Sequence, residues 1–241
     1  MKLRLAALAL VLSNLACARP QAFLHAYWGD ALYGKGDLGG AVAEYREAVR
    51  LAPGWAEAHY ALGNALRDAV DRGGAIAELR EAIRLAPDWA EAHNNLGLAF
   101  RINGDMDRAV GEYREAIRLK PGLVEPHMNL GNVLDYKGDH DTAIAEYHEA
   151  IRLKPNYAPA HFNLGLTLQL KGDLDSAVGE YREAIRLKPD YTKAHFALGG
   201  ALEAKGEKQT ALEEYGESEE LEPNNQAYRE AYERLSEQLK K

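Results

Sequence analysis

The sequence predicts an all-α fold, an α-solenoid built from six helical hairpins and closed by a C-terminal capping helix. Three observations lead there. The first is a period of 34 residues, seen in Leu62, Leu96, Leu130, Leu164 and Leu198, each followed by glycine at Gly63, Gly97, Gly131, Gly165 and Gly199. Ala41, Ala75, Ala109, Ala143, Ala177 and Ala211 keep the same step, as do Pro53, Pro87, Pro121, Pro155, Pro189 and Pro223. The second is helical spacing of apolar residues within each period. In the segment 158–191 they run through Ala160, Phe162, Leu164 and Leu168, and again through Leu174, Ala177, Val178, Tyr181, Ala184 and Ile185, so each period holds two amphipathic helices. The third is punctuation: Lys171-Gly172-Asp173 separates the two helices and Pro189 ends the second, because glycine takes the left-handed conformation that closes a helix and proline cannot continue one.

The first twenty residues stand outside the repeat. Lys2 and Arg4 precede an apolar run from Leu5 to Leu12, and Ala16-Cys17-Ala18 follows. This order resembles a bacterial secretory signal peptide, and the run is too short for a lasting membrane span, which needs about 20 apolar residues. Two processing routes fit. Ala16 and Ala18 form an A-x-A site, so that residues 1–18 leave as a signal peptide and the chain starts at Arg19. Alternatively Leu15-Ala16-Cys17 ends a lipobox, so that residues 1–16 leave and Cys17, the only cysteine, becomes lipidated; Asn14 departs from the apolar residue usual there. An extra apolar helix packed on the first repeat is the remaining reading of this segment. Either cut removes Lys2 and Arg4 from 29 basic residues set against 37 acidic ones, leaving a net charge of about −10.

The repeats then follow without insertion or deletion as units 22–55, 56–89, 90–123, 124–157, 158–191 and 192–225. A single hairpin cannot bury its own apolar stripe, and roughly three stacked ones suffice for a shared core. Each well-buried Leu, Ile or Phe contributes about 1.5–3 kcal/mol, so six units are stable without disulfide or metal. Gly165, Ala177 and Ala184 allow close approach of paired helices, while Tyr181, Leu187 and Leu168 fill the space between units. In the second unit Val70-Asp71 replaces the Gly-Asp pair seen at Gly36, Gly104, Gly138 and Gly172. A β-branched residue there is expected to be strained or to force a different turn, with Gly73-Gly74 absorbing the change. In the sixth unit Ser218 and Glu219 stand where Ala184 and Ile185 stand in the fifth, and 226–241 continues as an amphipathic helix with Tyr228, Tyr232 and Leu235, a solvating cap.

The period, the Leu-Gly pair, the second-helix alanine with its aromatic partner, and the closing proline together resemble the tetratricopeptide repeat (TPR) family. The resemblance implies a right-handed superhelical α-solenoid whose first helices line a concave groove and whose second helices form the convex side. Partners are then proteins or peptides held by first-helix residues.

Asn95, Asn129 and Asn163 precede the Leu-Gly pair in three consecutive units, a row of amides able to grip the backbone of an extended peptide. The row is similar to the asparagine ladder in the repeats of O-GlcNAc transferases, although no transferase domain follows here. Against the carboxylate clamp of chaperone-binding relatives the chain offers Asn132, Asn163 and Lys193, but Met128 and Ala197 stand where two cations belong, so that route lacks its charge-assisted donors. Glu57, Glu91 and Glu125 band one edge of the groove, and Arg67 and Arg101 the other. Met128, Phe162, Phe196, Leu166 and Leu170 form an apolar stretch suited to anchor a partner side chain.

The remaining chemistry is sparse. A formal charge of −8 offers no basic stripe for nucleic acid, and acids alternate with bases on the second helices as on a solvated face. His25, His59, His93, His127, His161 and His195 recur once per unit; copies about 10 Å apart do not share a metal whose ligands sit at about 2 Å. No nucleophile elbow, phosphate loop or isolated carboxylate pair is present. The expectation is a non-enzymatic adaptor without cofactor or metal, exported to the bacterial envelope and touching the membrane only through lipid on Cys17. The alternative is an assembly factor for an envelope machine, similar to lipoprotein pilotins, acting through its convex face or self-association; an uncleaved N-terminus leaves a cytoplasmic scaffold.

Overall fold

The computed structural model describes residues 19–240. The proposed signal, its cleavage sites and Cys17 lie outside the described residues. Residues 19–34 are helical (α1). There follow α2 (Leu38–Leu51), α3 (Ala56–Asp68), α4 (Arg72–Leu85), α5 (Ala90–Ile102), α6 (Met106–Leu119), α7 (Val124–Tyr136), α8 (His140–Leu153), α9 (Ala158–Leu170), α10 (Leu174–Leu187), α11 (Thr192–Lys205), α12 (Lys208–Leu221) and α13 (Gln226–Leu239). No strand occurs among the described residues. The described residues form two compact units, one of α1–α6 and one of α7–α13. Within each, consecutive helices pair as hairpins and successive hairpins pack on one another.

The turn inside each hairpin is specified locally. Gly36, Gly104, Gly138, Gly172 and Gly206 have φ between 80° and 86°. In this conformation the Gly104 amide donates to the Arg101 carbonyl and the Asp105 amide to that of Phe100, satisfying carbonyls that the helix end leaves open. Asp37, Asp71, Asp105, Asp139 and Asp173 then cap the following helices, each accepting from an amide three residues on.

Val70 sits in this same turn at φ 65°, and its hydrogen bonds, Val70 N to Arg67 O and Asp71 N to Leu66 O, match those of its glycine counterparts. The turn is therefore unchanged and the strain falls on Val70. Gly73 and Gly74 lie inside α4 and do not relieve it; the Gly74 amide serves the Asp71 cap as Gly40 serves Asp37.

Close approach within hairpins depends on the Leu-Gly glycines. A Cβ added at Gly97, Gly165 or Gly199 would meet the ring of Tyr113, Tyr181 or Tyr215 at 2.7 Å, and at Gly63 it would meet Leu79 at the same distance. The alanines at 41, 75, 109, 143, 177 and 211 have no exposed surface. At the C-terminus Ser218 is also fully buried, its hydroxyl donating to the Tyr215 carbonyl. The solvent-facing role expected for it thus passes to α13, which packs on α12 and inserts Leu235 and Tyr228.

Two substitutions separate these effects. Val70→Gly is expected to raise stability by about 1 kcal/mol by removing left-handed strain, whereas Gly97→Ala is expected to lower it by about 1–3 kcal/mol through overpacking against Tyr113. Urea denaturation followed by circular dichroism measures both.

Candidate interaction surface

The six repeated histidines are structural bridges. In His25, His59, His93, His127, His161 and His195 the Nδ1 atom lies 2.6–2.7 Å from a glutamate oxygen on the second helix of the same hairpin: Glu44, Glu78, Glu112, Glu146, Glu180 and Glu214. The Nε2 atoms of His59, His93, His161 and His195 lie 2.9–3.1 Å from the carbonyls of Pro53, Pro87, Pro155 and Pro189 in the preceding turn. Two acceptors facing one ring are both satisfied only when both nitrogens carry protons. At His93 burial pulls the pKa down, but the hydrogen bonds to Glu112 and Pro87 and the charges of Glu112 and Glu115 outweigh it, leaving the value above the ordinary 6.5. At His195 the hydrogen bond to Glu214 is the largest effect and the net direction is the same. These bridges occupy the histidines one by one, each with a glutamate of its own hairpin.

The asparagines are engaged with one another. In the first unit Asn95 Nδ2 donates to Asn64 Oδ1 at 2.9 Å and to the Tyr60 hydroxyl at 2.7 Å, and Asn95 Oδ1 accepts from Asn94. In the second unit Asn163 Nδ2 donates to Asn132 Oδ1 at 2.8 Å, which also accepts from the Tyr147 hydroxyl. Asn129 is half-buried and has a partner of its own. The amides therefore tie first helices of successive hairpins within each unit, and only part of their capacity faces outward.

Of the apolar residues expected in the groove, Met128 is buried, 6% exposed, and belongs to the core. Phe162 packs with Tyr181 and Tyr191, and Phe196 with Tyr215 and Tyr228, at centroid distances of 4.7–6.0 Å. Leu166 and Leu170 are exposed, and beside them is Tyr136, 77% exposed, which the period alone did not reveal. Tyr136 and Leu170 hold equivalent positions on α7 and α9, as do Asn132 and Leu166. Four residues apart on a helix means one face, so Asn132, Tyr136, Leu166 and Leu170 make an outward stripe over two packed first helices, with Asn163 alongside. Lys193 is exposed and is not joined by the two cations that a clamp requires.

No helix among the described residues is long and apolar enough to cross a membrane. The arginine–glutamate pairs three residues apart on the second helices, such as Arg118 with Glu115, are exposed and carry little stability.

The TPR repeat profile matches residues 29–68, 136–172 and 170–206, and a further tetratricopeptide repeat profile matches 60–124. No curated protein sequence matches the chain. Among solved structures, MamA is 30% identical, covering 68% of this chain and 96% of its own, with a TM-score of 0.63. YrrB, described as a TPR protein with an unusual peptide-binding site, is 21% identical over 78% of this chain and 97% of its own, TM-score 0.65. PilW, described as a widely conserved type IV pilus biogenesis factor, is 19% identical over 86% and 96%, TM-score 0.78.

The bridges predict a pH dependence. A histidine whose folded pKa is raised contributes stability that is full below 6.5 and is lost as pH rises through the folded value. Melting temperature is therefore expected to fall between pH 6 and pH 8. Glu112→Gln combined with Glu214→Gln should lower it by about 2–4 °C at pH 6 and by less at pH 8, as measured by differential scanning calorimetry.

Proposed function

The chain belongs to the tetratricopeptide repeat family, and from that premise we propose that it is a non-enzymatic adaptor holding an extended peptide or partner helix on the faces of its first helices. The observation that carries this reading is the stripe of Tyr136, Leu166 and Leu170. These are large apolar side chains left in water on helices whose other apolar positions are buried or partly buried. Exposed apolar patches rimmed by polar groups mark interaction sites, and here the rim is Asn132 and Asn163, whose remaining amide capacity suits a peptide backbone. Asn129 lies on the same helix as Asn132, and Phe162, four residues before Leu166, shares its face of α9. The description of YrrB as peptide-binding agrees with this use of the fold.

We further propose that residues 1–18 direct export to the bacterial envelope, ending in cleavage after Ala18 or in lipid on Cys17. The second reading, an envelope assembly factor tethered by Cys17, draws on the place of that sole cysteine behind Leu15-Ala16. It puts the working surface on the second helices.

A capture experiment from the native host separates the two. Tyr136→Ser/Leu166→Ser/Leu170→Ser should weaken partner capture at least tenfold, as expected for apolar anchors, with an unchanged circular dichroism spectrum. An undiminished partner set sends function to the second helices. Mass spectrometry of the native protein should find Arg19 or lipidated Cys17 as its first residue; an intact Met1 refutes export.

A further inference from the structure

Comparing the repeats with one another isolates one tyrosine. In the other hairpins that carry a tyrosine at this place, its hydroxyl donates to an acceptor on the first helix: Tyr45 to Asp30, Tyr147 to Asn132, Tyr181 to Gln169 and Tyr215 to Glu203. Asp30 and Asn132 hold one repeat position, Gln169 and Glu203 another. In the third hairpin these two positions are Leu98 and Arg101, neither of which accepts a hydrogen bond. Tyr113 is fully buried, and its hydroxyl proton finds no acceptor among the described residues. A buried hydroxyl left without an acceptor costs free energy, and here a guanidinium stands at an acceptor's place.

We infer that Arg67 of α3, Arg101 of α5 and the hydroxyl of Tyr113 of α6 form a binding site for a carboxylate carried by a peptide. Arg67 and Arg101 hold the same position one repeat apart on packed first helices, and Arg101 is exposed and makes no ion pair with a described residue. Arg67 is less free. Its Nε donates to Asp68 Oδ1 at 2.9 Å and an Nη to Asn64 Oδ1 at a long 3.4 Å, while the other Asp68 oxygen accepts from Tyr33. Asp68 thus takes one edge of the Arg67 fork. The Tyr113 hydroxyl feels both guanidiniums: burial pushes its pKa up to about 12, against a lowering by the charge of Arg101, by the approach of an Arg101 N–H to the hydroxyl oxygen, and by the charge of Arg67. An incoming carboxylate supplies what each group lacks, an acceptor for the hydroxyl and a counter-charge for Arg101, and charge-assisted hydrogen bonds of this kind are the strong ones. The site differs in position from the clamp compared above, whose residues fall in the second unit and lack two cations.

The inference rests on the reading of the first helices as the binding surface, and it adds the chemistry of one ligand group. The test is an NMR titration at constant ionic strength that follows the arginine side-chain Nε–Hε resonances. Three short peptides rich in glycine serve as probes: one with a single glutamate and an amidated end, one with glutamine and a free C-terminal carboxylate, and one with glutamine and an amidated end. A saturable shift of Arg67 and Arg101 with the first identifies an acidic side chain as the ligand, and with the second a chain end; the third should give none. Arg101→Gln should weaken the response at least tenfold. Tyr113→Phe should weaken it several-fold while melting at or above the wild-type temperature, since it removes a buried hydroxyl whose proton has no acceptor. Equal shifts with all three peptides, an unaltered response in Arg101→Gln, or a lower melting temperature for Tyr113→Phe overturns the site. The probes carry no apolar side chain, so the Tyr136/Leu166/Leu170 variant keeps the response even where partner capture is lost, and the two readings fail separately.

Discussion

The repeated histidine, buried in all hairpins but the first, is the constraint on which the rest of the structure depends. It stands on the first helix, reaches the glutamate nineteen residues later on the second, and in four copies also meets the carbonyl of the proline that closed the previous repeat. One imidazole thereby fixes the separation of two helices and the entry of the chain into the hairpin. Core packing alone supplies force without direction; a ring held between two oxygen atoms supplies direction. With that geometry set, Gly97 and its counterparts sit against the Tyr or Leu of the facing helix, and no side chain larger than hydrogen fits.

Much of this was legible in the chain because a tandem repeat displays its own alignment. Helix ends followed from Gly104, Asp105 and Pro121, and the oddity of Val70 followed from its glycine counterparts. The histidine bridge escaped because its glutamate partners lie within a second helix full of acids, where Glu112 and Glu115 look alike until coordinates place only one of them against the ring. The asparagine row was visible, but its bonds were not: Asn163 and Asn132 are 31 residues apart and meet only because α7 and α9 pack side by side. Met128 shared an apolar character with Leu166, and composition does not tell a core side chain from a surface one. Tyr136 and Tyr113 could be found only as departures, the first as an aromatic left exposed, the second as a hydroxyl whose usual acceptor had been replaced.

Departure from the period is where chemical individuality resides in this chain. At the place near the end of each first helix the residues are Tyr33, Arg67, Arg101, Asp135, Gln169 and Glu203, with two cations in the first unit and only acceptors in the second. Four positions earlier in the hairpin lies the Leu-Gly glycine, which never varies from Gly29 to Gly199. Packing positions admit one solution and repeat it; surface positions on the same helices are free to differ, and a scaffold that holds them at a regular spacing turns those differences into recognition.

The uniformity of the His, Gly and Ala contacts has a further consequence for how such a chain changes over generations. Hairpins that present nearly the same faces before and behind are interchangeable parts, so unequal crossing-over that deletes or duplicates 34 codons can join surfaces already made to match. Length then varies in whole hairpins, and a recognition residue such as Arg101 can be copied, moved or lost together with the scaffold that positions it. The hairpin of Val70 and Leu79 is the least exchangeable piece, since the valine in its turn and the ring-free contact with Gly63 both depart from the common pattern.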